Sequence, residues 1–318
     1  MAFASLGAPG WARLADIELG RLRAFVRPVV AMPAGDESMR AAHGGPAARR
    51  LGVAERGELD QAPILDGTPV APAAWQVMML GSFVVSHRGA EVRLPRSLPA
   101  QAIKIAALRG SIPVEELIEL LWPEAAPGVG ARRLRNVLLR VRKSCGELLV
   151  RDFDIIRISP ECEIDVSRYR ALARRALKDS RGEPGGSPSS DAVSIARQAV
   201  EIYKGELLPA DRYEDWTLSY REMLRQLQVR LLDLLVAEST ARGSPGEALA
   251  MLDELIEIDP YEERHYRMAA QLHAEAGNRG RAMSLVAQAE RVMLDLGIAP
   301  SQDLSTFRRT IGQLAAAE

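Results

Sequence analysis

Cysteine, aromatic residues and long apolar runs are all scarce in this chain, and each scarcity removes a class of answer. Among 318 residues only Cys145 and Cys162 are cysteines, with no CxxC pair and no histidine pair beside them. Neither a disulfide framework nor a zinc site is expected. Aromatics make up 5% of the chain, which leaves the core to Leu, Ala, Val and Ile and favours helices packed through small side chains. No apolar run reaches the ~18 residues of a membrane span. The start lacks the charged-then-apolar pattern of a secretory signal, so the protein reads as cytoplasmic, without membrane contact. Also missing are GxxxxGK[ST], GxSxG, HExxH and GxGxxG, the scaffolds of phosphate, acyl, metal and dinucleotide chemistry. Neither an enzyme nor a cofactor is expected. His265 and His273 lie eight apart on one helical stretch, and without a carboxylate third ligand they are expected to line a polar groove.

What is present is ordinary in amount and uneven in place. Apolar residues are 47% and charged residues 26% of the chain, enough for a real core in two or three domains. The net charge is −1, yet residues 75–165 carry 13 basic and 11 acidic side chains while residues 166–318 carry 20 and 23. No part is a general polycation, so contact with a polyanion must come from a local patch.

That patch stands at Gly130–Gly146, which holds Arg132, Arg133, Arg135, Arg140, Arg142 and Lys143 and no acid. Leu134, Val137, Leu138, Val141 and Cys145 form one apolar stripe at helical spacing, and Cys145 reads as a small buried hydrophobe. Arg132, Asn136, Leu139 and Lys143 then face directly away from the stripe. Arg133 and Arg140 widen the outer face, and Arg135 and Arg142 flank the stripe. A helix that docks on a core and shows cations outward is suited to nucleic acid.

The surrounding pattern gives this helix its setting. Residues 1–74 are rich in Ala, Gly, Pro and Arg and are expected to be disordered, with one short helix over Ala15–Val30. The run Val77–Val85 predicts a strand and Glu91–Leu94 a second. Helices are predicted over Pro99–Leu108 and from Ser111 to Trp122, with Trp122 in the core and Pro123 as the stop. After the basic helix, Leu148–Arg151 and Ile155–Ile158 predict a hairpin that turns at Asp152–Asp154. Strand, strand, helix, helix, basic helix, hairpin is the order of a winged helix with the third helix in the recognition position. From Val166 onward the pattern is helical, including a long helix over Glu214–Arg242 with Trp216 packed between repeats. The stretch Arg242–Ala248 aligns with Ala276–Ala282 at an offset of 34 residues, the period of a tetratricopeptide pair. Glu262, Glu263, Arg264 and Arg267 read as a solvated helix surface.

Several motifs in this order resemble a known family. Leu80-Gly81-Ser82-Phe83, Glu116–Glu124 and the basic helix resemble the OmpR/PhoB-type winged helix of the antibiotic regulatory protein (SARP) family. Ala199–Pro209, Tyr213-Glu214-Asp215-Trp216, Asp259-Pro260-Tyr261-Glu262-Glu263 and Leu296–Ser301 resemble that family's bacterial transcriptional activator domain. The resemblance runs from about residue 77 to the end. It implies a mostly α protein, with 75–160 as an α+β winged-helix domain and 165–318 as an all-α, TPR-like repeat domain, after the low-complexity segment 1–74 that composition marks. It also implies a transcriptional activator that binds double-stranded promoter DNA at direct repeats, forms a homodimer on DNA and contacts RNA polymerase. By position, Leu139, Arg140, Arg142 and Lys143 match the end of the family's recognition helix, while Arg132, Arg133 and Asn136 come from the helical wheel. Arg151 and Arg157 are the only cations of the wing. A second reading is a protein-interaction adaptor whose winged helix has lost sequence-specific DNA binding, favoured by Asp152 and Asp154 at the wing tip.

Overall fold

A computed structural model of the protein describes residues 73–94, 97–126, 128–179 and 189–316, without the side chains of 312–316. The expected disordered segment and the helix Ala15–Val30 lie outside the described residues. The apolar run Val77–Val85, read as one strand, is two: β1 (Trp75–Met78) and β2 (Val84–His87), paired antiparallel. The break has a local cause. Gly81 takes a φ of 85°, and the amides of Met79 and Leu80 donate to the Asp165 carboxylate at 2.7 and 2.8 Å instead of continuing the ladder. The next strand is shorter and earlier than expected, β3 (Ala90–Glu91), closing the sheet edge on β2.

Helix α1 (Leu98–Arg109) is buried on nearly every side from Pro99 to Leu108, Lys104 included. Ser111–Pro113, read as the opening of a helix, is strand β4. Helix α2 (Val114–Leu121) follows, then the basic helix α3 (Val129–Cys145). Strands β5 (Leu149–Asp152) and β6 (Ile155–Ile158) form the expected hairpin, and β4 adds to its other side in the order β4-β6-β5. Strand β7 (Cys162–Ile164), not foreseen, pairs parallel to β1 and completes a sheet of order β3-β2-β1-β7.

The rest is helical: α4 (Asp165–Asp179), α5 (Ser190–Ile202), a 3-10 turn at Pro209–Asp211, α6 (Asp215–Ala241), α7 (Pro245–Ile258), α8 (Glu263–Glu275), α9 (Arg279–Asp295) and α10 (Gln302–Ala316). The 34-residue repeat is visible in hydrogen bonds. Ser244 N–H donates to Ser239 O and Asn278 N–H to His273 O, each at 2.8 Å, around left-handed Gly243 and Gly277. These are the same helix-ending motif made twice. Ala248 and Ala282, the fourth residues of α7 and α9, are fully buried and let the paired helices close.

Among the described residues three apolar clusters form the core. A small one joins Ile105, Ile112, Val114, Leu117, Leu134 and Ile156. A second, among the repeats, runs from Leu232 to Ile311. The largest takes Val77, Ile103, Val141 and Leu148 together with Tyr169, Ala196, Leu224 and Leu235, so strands and repeats share one core. Trp216 packs against this core and the small cluster, not between repeats as expected: its helix begins beside α1, where Gln101 Nε2 donates to Glu214 Oε1 at 3.4 Å and Trp216 Nε1 to Glu214 Oε2 at 3.1 Å. Trp122 is half-buried against both clusters, and Cys145 is fully buried.

The junction between strands and repeats is polar as well as apolar. Gly81 N–H donates to Glu206 O at 3.0 Å and Leu208 N–H to Met79 O at 2.9 Å. A Cβ on Gly81 would stand 2.8 Å from Lys204 O, so the two segments approach at a distance only glycine permits. Lys104 Nζ meets Asp211 Oδ2 at 2.6 Å with side chains 5% and 14% exposed, and it sits 4.7 Å above the Phe83 ring.

Candidate nucleic-acid interface

Helix α3 starts at left-handed Gly128 with no side-chain cap and no acid in its first turn. Its amide end is therefore left to carry its partial positive charge. Gly130 sets its depth: a Cβ there would collide with Ile118 Cγ2, so glycine brings α3 onto α2. The helix buries Leu134, Val137, Val141 and Cys145 and half-buries Leu138, which is the stripe read from the sequence.

Every residue of the outward set is exposed: Arg132, Arg133, Arg135, Asn136, Leu139, Arg140, Arg142 and Lys143. Leu139 is 53% exposed, an apolar spot among cations. Only Arg142 of these cations has an acid in reach among the described residues, Glu147 at 3.4 Å. Both side chains of that pair are largely in solvent, where such a contact contributes little. The face is a row of unneutralised charge on a rigid element.

The hairpin is different. Arg151 Nε donates to Phe153 O at 2.9 Å, and Arg157 pairs with Asp152. Both cations expected to serve the wing are engaged within it. Sequence reasoning missed what the tip does expose: Phe153, 91% accessible, with Val150 at 41% and Ile155 at 43%. The Asp-Phe-Asp turn is the sequence signal for it, an aromatic at the tip of a two-strand hairpin. Leu134 of α3 and Ile156 of β6 share the small cluster, which fixes the hairpin against the amino-terminal half of the basic helix.

Among the described residues no group of three His, Cys, Asp or Glu is placed to hold a metal, and no helix is long and apolar enough to cross a membrane. His265 is fully buried, with Nε2 3.2 Å from Asp233 Oδ1, and Arg264 meets the same oxygen at 2.5 Å. His265 and Arg264 therefore anchor α8 to α6. His265 is thus packed at a junction instead of lining a groove, while Arg264 stays exposed, as a solvated surface requires, and still meets Asp233.

Comparison with known proteins agrees with this architecture. Residues 164–311 match the bacterial transcriptional activator domain. No curated protein matches the chain. Among solved structures, Mycobacterium tuberculosis EmbR, determined in complex with a low affinity phosphopeptide, is similar in fold, with a TM-score of 0.57 at 18% identity over 76% of this chain. The chain spans 65% of the length of EmbR. The matched family is one of transcription-regulator domains, not of enzymes. Over residues 164–311 the chain is thus similar to bacterial transcriptional activator domains, and its fold is similar to that of EmbR.

Proposed function

We propose that residues 75–160 are an OmpR/PhoB-type winged-helix domain that lays α3 in the major groove of double-stranded DNA at promoter direct repeats. The observation that carries this reading is the outward face of α3, cationic and unpaired on a helix held in place by its buried stripe. Arg140 and Arg132 have the fork that reads guanine, Asn136 suits adenine and Leu139 suits a thymine methyl. Lys143, Arg133 and Arg142 hold phosphates and fix the register. Arg151 and Arg157 reach phosphate only by giving up their partners in the hairpin, an exchange that costs little at exposed sites. The repeat domain, residues 165–318, then dimerises on DNA and contacts RNA polymerase, and the protein works as an activator in the cytoplasm.

The test is recovery of genomic DNA by the purified full chain at ~0.15 M salt, near physiological screening, beside the Arg140→Ala/Lys143→Ala variant. Discrete peaks lost in the variant are expected, with the salt slope on the remaining weak binding reduced by about 1–2. Peaks that survive the double change refute the assignment of α3. No peaks from either protein would favour the adaptor reading, which the engaged arginines and acids of the hairpin support.

A further inference from the structure

Phe153 is held in a conformation that a bulky side chain avoids. Its φ is 50°, the left-handed region that glycine and asparagine enter most easily. Its ring is 91% exposed, so no packing within the chain compensates. The strain is also built in. Arg151 Nε holds the Phe153 carbonyl at 2.9 Å, and Val114 N–H donates to the Asp154 carbonyl at 2.8 Å. Strands β4 and β5 pair on both sides of β6 up to the turn, through Pro113↔Ile155 and Asp152↔Ile155. A strained backbone that presents an aromatic ring to solvent from a braced turn is an outlier that points to function.

Resting on the DNA-binding reading above, we infer that Phe153 is an apolar wedge that enters the minor groove next to the site of α3 and partly unstacks a base step. The small cluster joins Leu134 to Ile156, so the tip keeps its place relative to the helix in the major groove. Arg151 and Arg157 must leave their partners in the hairpin to reach phosphate, whereas the ring projects without any exchange. The Arg157 contact also tempers the charge of Asp152, and the ring is the group that projects. Aromatic and aliphatic wedges of this kind kink the duplex and read its deformability, favouring flexible pyrimidine–purine steps. The hairpin then contributes sequence preference through shape, at positions where α3 makes no base contact.

The experiment selects sequences from a randomised duplex library with the full chain and with Phe153→Leu and Phe153→Gly. Affinity and bend angle are then measured on the selected duplex by gel circular permutation. Wild type is expected to bend the duplex by roughly 20–90°. Phe153→Leu keeps most of the bend and affinity. Phe153→Gly loses the bend and about tenfold or more in affinity, while its salt slope is unchanged and its melting temperature is equal or higher, because glycine relieves the strain. A Phe153→Gly protein with the wild-type bend and affinity overturns the wedge alone. One that keeps the bend but loses self-association in sedimentation places the ring at a protein contact and also overturns it. Failure of the wild-type chain to select any sequence refutes DNA binding itself, and the wedge with it.

Discussion

Replacing Lys104 by Met should cost more stability than any change on the face of α3. The ammonium lies 2.6 Å from Asp211 with both side chains nearly out of solvent. Removing one partner leaves the other charge buried and unanswered, a loss of about 3–5 kcal/mol. At about 2–4 °C of melting temperature per kcal/mol, Lys104→Met should melt about 6–20 °C below wild type. Lys104→Met/Asp211→Leu removes both charges and fills the space with apolar atoms, and should recover most of that loss. Calorimetry and urea unfolding of the full chain give the cycle. The fall should appear as one cooperative shift, because the pair lies where strands and repeats share a core. Melting of Lys104→Met within about 2 °C of wild type would refute the argument. So would a double variant that loses the sum of the two single changes.

Three further outcomes follow from local geometry. Gly130→Ala should drive α3 from α2 against the stiff Ile118, costing about 1–3 kcal/mol by overpacking, and should weaken DNA binding although it removes no cation; urea midpoints and binding on one selected duplex check both. Burial pushes the Cys145 thiol up to about 11 and, with Glu163 nearby, Cys162 up to about 12; both should resist alkylation at pH 8 in the native chain and react once it is unfolded, as mass spectrometry would count. Burial raises the Asp233 carboxyl, but hydrogen bonds from His265 and Arg264 outweigh it and hold the group below its ordinary 3.8. Its contribution is therefore present above about pH 4 and lost as pH falls through the lowered value. Asp233→Asn should flatten that part of the stability–pH curve, and an unchanged acid limb would show the carboxylate is not what α8 rests on.

The sequence reveals features set by short-range period and hides those set by distant partners. The stripe Leu134, Val137, Val141 and Cys145 needed only the helical repeat, and the 34-residue offset marked two turns that prove to share one hydrogen-bond pattern. Strand β7 has three residues, too few for an alternation, and exists because β1 offers an edge. The apolar run Val77–Val85 breaks where Asp165 and the Lys204–Leu208 segment take its backbone groups. Lys104 reads as a surface cation until its partner, 107 residues on, is known. The motifs that carried the family resemblance turn out to meet in pairs: Gly81 lies on Lys204-Gly205, and Ser301 N–H donates to Glu263 Oε2 at 3.0 Å. The family's pattern marked the joints, which periodicity cannot do. On the candidate interface, the cations of α3 were legible from the wheel, but the engagement of Arg151 and Arg157 was not.

Strand β7 also bears on how such chains can be recombined. It sits in the sheet beside β1 and runs directly into α4, whose first residue, Asp165, caps the end of β1. A chimera joined between residues 160 and 165 would leave one parent's β1 without an edge partner and the other's Asp165 without its amides. A foreign head grafted onto these repeats must therefore bring its own fit to Asp165, Gly205 and Asp211. Head and repeats are thus expected to be exchanged together, as one unit.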